Sequence, residues 1–116
     1  MQVTRVAAAK PYQAPNHVGT CTLRLQGWEA SDTKGFWVGL SHFLPAGGTE
    51  QADANPLDKV YIVVEGEVTI VTDDGEATLG PLDSCYLGPN ESRAIENRTT
   101  RPATMLTVIT YPPGKP

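Results

Sequence analysis

Ten prolines and eleven glycines punctuate this chain of 116 residues, and that spacing constrains its fold more than any other feature. Proline removes a helix donor and glycine weakens a helix interior, so a chain broken this often cannot build long helices. No window shows helical periodicity. Between the breaks lie short runs rich in Val, Ile, Thr, Tyr and Phe, at 20–25, 36–44, 59–64, 67–72, 77–79, 84–87, 92–97 and 103–111. Many short strands separated by turn signals predict a β-sandwich or barrel. The clearest hairpin is "TDDGE" at 72–76, where Asp-Gly supplies a tight turn. The expectation is one all-β domain over 1–116, with residues 1–19 and 112–116 extended or flexible.

Composition excludes several classes of function. The net charge is -4 and the nine Lys and Arg form no basic run, which argues against nucleic acid as a partner. No stretch reaches the ~18 apolar residues of a membrane span. The N-terminal "MQVTRVAAAKPYQ" lacks the apolar centre of an export signal, so a cytoplasmic location is expected. Cys21 and Cys85 are too few for a disulfide framework and are read as reduced thiols.

Strand alternation assigns faces, because successive side chains point to opposite sides. Lys59, Tyr61 and Val63 share a face, joined by Asn55 and Asp53 if the chain is extended there. Arg93, Ile95 and Asn97 share another. Each face thus carries a long cation among apolar residues, an unusual place for an unpartnered charge. In "FWVGLSHFL", alternation over Phe36, Val38, Leu40, His42 and Leu44 makes an apolar face that would aim His42 into the interior. His17, flanked by Pro and Gly, is expected at the surface. Glu50 is the nearest spare carboxylate. Trp28, Phe36 and Trp37 are read as core or interface residues.

The stretch "GGTEQADANPLDKVYIVVEG" at 47–66 resembles the first motif of the cupins, a family of small β-barrels. Gly47, Asp53, Asn55, Lys59 and Gly66 fall on the spacing of that motif's glycine, His-x-His pair, Glu and closing glycine. Leu82, Gly88, Asn90, Arg93 and Asn97 fall on the spacing of the second motif, of which the final Asn alone is retained. The resemblance covers about residues 36–111, taken as the domain core, and implies a jelly-roll barrel of two antiparallel sheets, a double-stranded β-helix. It also places Asp53, Asn55, Lys59 and Arg93 where a typical cupin keeps four metal ligands.

Those replacements do not suit a divalent ion, which wants imidazole, thiolate or carboxylate donors. The reading therefore calls for no metal and no organic cofactor. Two cations, one carboxylate and one amide favour a small anion, since Arg forks onto a carboxylate and Lys adds a point charge. The expected partner is a small anionic metabolite, bound by Arg93, Asn55, Tyr61 and His42. Asp53 and Lys59 are candidate catalytic groups for a metal-free isomerase, lyase or cyclase. A non-catalytic barrel with an internal Asp53–Lys59 ion pair is the alternative, and an atypical metal-dependent dioxygenase the third. A homodimer is expected, from an edge strand at 20–25, from Trp28 and Trp37, and from the habit of small cupins.

Overall fold

A computed structural model describes residues 1–52 and 55–114. Apart from one 3-10 turn at Val6–Ala8, the regular structure is β. Among the described residues there are nine strands: β1 (Pro11–Tyr12), β2 (His17–Gln26), β3 (Phe36–Ala52), β4 (Lys59–Glu65), β5 (Val68–Thr72), β6 (Gly75–Leu79), β7 (Ser84–Leu87), β8 (Arg93–Glu96) and β9 (Ala103–Thr110). Every strand pairing is antiparallel, in the order β6-β5-β8-β3-β9-β4-β7, with β2 beside β3 and β1 beside β2. The ladder rolls into a nearly closed barrel of two facing halves, the expected jelly roll.

The 17-residue strand β3 makes this shape possible. Its first half pairs with β9 from Phe36↔Thr110 to Phe43↔Ala103. Its second half leaves β9 and pairs with β8, Gly48 opposite Glu96 and Thr49 opposite Ile95. One strand therefore belongs to both sheets. The turn between them uses Pro45, which needs no ladder donor, and Ala46, whose φ of 66° bends the chain. The expected strand 36–44 thus continues through residues that looked like a loop.

Other expectations hold in register. The "TDDGE" hairpin is present, Thr72 paired with Gly75 at its closed end. Strand β2 begins at His17, inside the segment expected to be irregular, and β1 lies along it at Pro11↔Leu23 and Tyr12↔Thr22. The edge expected at 20–25 is thereby partly covered within the chain.

The core is one apolar cluster. Phe43, Tyr61, Val63, Val68, Ile70, Leu87, Ile95 and Met105 are all at most 3% exposed and pack as one cluster. Asn97, 2% exposed, ties down the loop that follows β8. Its amide donates to the carbonyls of Phe43 and Arg101, and its side-chain oxygen accepts from Thr99. The Asn retained from the second motif is thus a structural residue.

Candidate functional site

The inward row of β4 runs Lys59, Tyr61, Val63, all buried, as alternation predicted. Val63 lies in the apolar cluster. Tyr61, a member of the same cluster, and Lys59 line a cavity of about 370 Å³ that borders the core, and its wall also includes Asn55, Arg93, Ile95 and Met105. Four of the six expected site residues, Asn55, Lys59, Tyr61 and Arg93, therefore meet in one place. Asp53 lies outside the described residues.

His42 does not join them. It is exposed on the outer surface, with Nδ1 3.1 Å from Thr104 Oγ1. The register of β3 turns Trp37, Gly39, Ser41 and Phe43 inward, and Phe36, His42 and Leu44 outward. The alternation was right and its phase inverted. Glu50 is also exposed, and lines a separate open depression beside the β3 bend.

Lys59 is 4% exposed, and its ammonium donates to Asn55 Oδ1 at 3.0 Å. Asn55 is itself fixed, its side-chain oxygen accepting from the Leu57 N–H and its carbonyl from the Asn90 N–H. Arg93 donates from Nε to the Tyr61 hydroxyl at 2.7 Å and from Nη1 to Thr49 Oγ1 at 3.3 Å. Tyr61 spends a lone pair on Arg93, so its own O–H is left to donate toward the cavity. Both cations thus rest on neutral oxygens. Among the described residues, no carboxylate lies within ion-pair distance of either.

The electrostatics follow. Burial pushes the Lys59 ammonium below the usual lysine range, and Arg93 nearby pushes it the same way; Asp58 and Glu91 oppose. Burial raises the Tyr61 phenol, keeping it neutral although Arg93 pulls the other way. Three cations, Arg24, Lys59 and Arg93, line the cavity, and no Asp or Glu does among the described residues.

The sequence reading missed His17 and the aromatic wall. His17 lines the cavity, with Nδ1 2.7 Å from the Pro15 carbonyl. A carbonyl only accepts, so Nδ1 carries the proton and the neutral ring keeps its lone pair on Nε2. Burial lowers its pKa and Arg93 adds to that, while the bond to Pro15 works against both. Trp37, read from the sequence as a core or interface residue, is buried at 9% exposure and forms the wall with Tyr12 and Trp28. Tyr12 meets Trp37 edge-on at 5.7 Å and 84°. The Arg24 guanidinium lies 4.1 Å from the Tyr12 ring centroid, 4.8 Å from that of Trp37 and 5.1 Å from that of Trp28. The signal available in the sequence was the small pair Gly39 and Ser41, which clears the space on Trp37's own face.

The donor set differs from one that would hold the metal common in cupins. Asn55 Oδ1 already accepts two hydrogen bonds, Arg93 has no lone pair to give, and Lys59 has none while protonated. These residues do not fit a divalent ion. Among the described residues, no three His, Cys, Asp or Glu side chains come together.

Known proteins fall into line with this architecture. The Cupin domain family model matches residues 40–109. A Mycobacterium tuberculosis protein named a beta-D-galactosidase is 44% identical over 112 residues, spanning 97% of this chain and 96% of that one. Among solved structures, a sugar phosphate isomerase of the cupin superfamily from Silicibacter pomeroyi superposes with a TM-score of 0.78 at 26% identity, over 94% of this chain and 75% of that one. The polyketide cyclase RemF from Streptomyces resistomycificus superposes with a TM-score of 0.83 at 17% identity, over 95% and 79%, a likeness of fold alone. With the barrel, the motif spacing and the family match in agreement, this chain belongs to the cupin family.

Proposed function

We propose that the barrel binds a small anionic metabolite, with a carboxylate held between Lys59 and Arg93 and without a metal. One observation carries this reading: two cations face a cavity with only neutral oxygens as partners among the described residues. A buried cation without an anion is costly, and two near each other are costlier. A bound carboxylate removes both costs, because Arg93 supplies paired donors and Lys59 a point charge. Asn55 and the Tyr61 hydroxyl orient the ligand. Three groups can exchange a proton with it: Lys59, His17 through Nε2, and Asp53, which stays a candidate from the sequence. A proton-moving isomerase, lyase or cyclase suits that equipment.

Thermal-shift titration with a panel of small carboxylic acids tests the reading. A ligand at 100 times its Kd stabilises by about 2.7 kcal/mol. Several acids should stabilise the protein, and Arg93→Leu should abolish the response. A panel in which no acid shifts either protein would refute the proposal.

A second reading is hydrolysis of a β-galactoside, favoured by the 44% identity to the Mycobacterium tuberculosis protein of that name. Glycoside hydrolysis ordinarily uses two carboxylates ~5–9.5 Å apart. The described residues around the cavity offer none, so His17, Tyr61 or Asp53 would have to take those parts. Release of chromophore from an aryl β-galactoside, lost in Asp53→Asn or His17→Gln, would support it.

A further inference from the structure

The anion site occupies one side of the cavity, and the other side has a different chemistry. Trp37 and Lys59 are both in register with Ile109, on opposite flanks of β9. Their backbones therefore stand two strand spacings apart, roughly 9–10 Å. All three residues line the cavity. Gly39, next along Trp37's inward row, makes the wall possible: a Cβ there would lie 3.0 Å from the Trp37 ring and 3.0 Å from Thr107 Oγ1. A side chain at 39 would press on both, so the bare glycine lets the indole lie close to the sheet. Arg24, close to the rings of Tyr12, Trp28 and Trp37, holds the three together.

Between the wall and the cations lie polar groups with capacity to spare. Thr107, 7% exposed, sits in register between Gly39 and Tyr61, and its hydroxyl has no hydrogen-bond partner among the described residues. The Arg24 Nε–H likewise has none. Ser41 and Asn55 add a hydroxyl and an amide to the same lining. A plain aliphatic acid would use the two cations and leave the wall and these groups idle. A purely aromatic acid would use the wall and leave the polar groups unsatisfied, a cost for buried groups. A sugar ring has apolar C–H faces for an aromatic wall and hydroxyls around its rim.

We propose that the ligand is an acidic sugar, a six-membered ring bearing a carboxylate, with its C–H face against the Trp28–Trp37 wall and its carboxylate on Lys59 and Arg93. A hexuronic acid, free or as the terminal unit of a glycoside, is the class. This deepens the anion-site reading and rests on it. The wall and Lys59 stand on strands two spacings apart, and the cavity of about 370 Å³ lies in the range of small-ligand pockets.

The experiment is isothermal titration of the wild type, Arg93→Leu and Trp37→Phe with D-galacturonate, D-galactose, succinate and benzoate. Trp37→Phe keeps an aromatic ring, and circular dichroism of each variant confirms the fold. Galacturonate should bind at least tenfold tighter than galactose, succinate or benzoate. Arg93→Leu should bring galacturonate down to the level of galactose. Trp37→Phe should weaken galacturonate several-fold and leave succinate unchanged. Equal binding of galactose and galacturonate would overturn the charge requirement, and benzoate binding tighter than galacturonate would overturn the sugar. Trp37→Phe weakening succinate and galacturonate alike would remove the wall from recognition. If succinate binds as well as galacturonate, this inference fails while the anion site survives. If no acid binds, both fail.

Discussion

The bond between Arg93 Nε and the Tyr61 hydroxyl, 2.7 Å long and beside a residue only 1% exposed, makes a sharp double-mutant prediction. Tyr61→Phe in the wild type strips Arg93 of a buried acceptor. A hydrogen bond to a charged group contributes about 1.5–3 kcal/mol, so the single change should destabilise by about 2 kcal/mol. Arg93→Leu has opposing effects. It removes a half-buried cation and the repulsion felt by Lys59, but leaves the Tyr61 hydroxyl without its donor, costing about 1–3 kcal/mol. Its net effect should fall within about 2 kcal/mol of zero. In the Arg93→Leu background, Tyr61→Phe then removes an orphaned hydroxyl and should be neutral or stabilising by up to about 1 kcal/mol. The coupling is the difference, about 2–3 kcal/mol. Urea denaturation of the four proteins, read as midpoints at a common slope, measures it. If Tyr61→Phe costs the same in both backgrounds within about 0.5 kcal/mol, the two side chains are not coupled and the account of the site is wrong.

Lys59→Met should raise stability, because an unpaired buried charge is exchanged for an apolar chain of similar length, and should weaken carboxylate binding by tenfold or more; denaturation and titration calorimetry read both. Because the folded-state pKa of His17 is lowered, the unfolded chain takes up a proton that the folded chain refuses. Stability should therefore fall as pH drops below about 6.5 toward the depressed value, and His17→Gln should flatten that limb of a Tm-against-pH plot. Protein purified from cells and analysed for elements should hold far less than one iron, manganese, zinc or nickel per chain. Light scattering should return about twice the 12.4 kDa chain mass. The outer row of Leu23, Leu106 and Ile62, half-buried around a buried Leu40, is the sheet face on which a second copy can pack.

The fold was legible because its signals are local: turn residues between short β-rich runs, and on β4 and β8 a long cation that marks one face. Lys59, Tyr61 and Arg93 were placed correctly for that reason, since a period of two assigns a face once one member is known. It failed on β3, where both faces are apolar. Val38 and Leu40 point outward over the half-buried row that includes Val60 and Val108, while Trp37 and Phe43 point inward. Hydrophobicity could not choose between them. His42 was misplaced for that reason, and Trp37, read as core or interface, was not recognised as part of the cavity wall. Residues 45–52 were unreadable as strand because Pro45, Gly47 and Gly48 announce a turn; only the long-range pairing with β8 makes them a ladder. His17 was hidden because β2 begins earlier than its composition suggests.

Gly48 has a bearing on what this pocket can become. A Cβ built there would sit 1.9 Å from the Ile95 carbonyl oxygen, and the next residue, Thr49, accepts the Ile95 N–H at 3.1 Å. The strand carrying Arg93 is therefore seated directly on the main chain of β3. Even a methyl group at 48 would force β8 outward by roughly 1.5 Å to restore ordinary contact. The seat of the Arg93 strand is thus set by backbone meeting backbone, while the Tyr61, Thr49 and Asn55 side chains hold the two cationic groups. A lineage exploring new ligands would find the aromatic wall easy to rebuild, one residue at a time. The backbone seat of the Arg93 strand would stay fixed, so descendants of this barrel should differ in which ring they accept long before they lose the strand that carries Arg93.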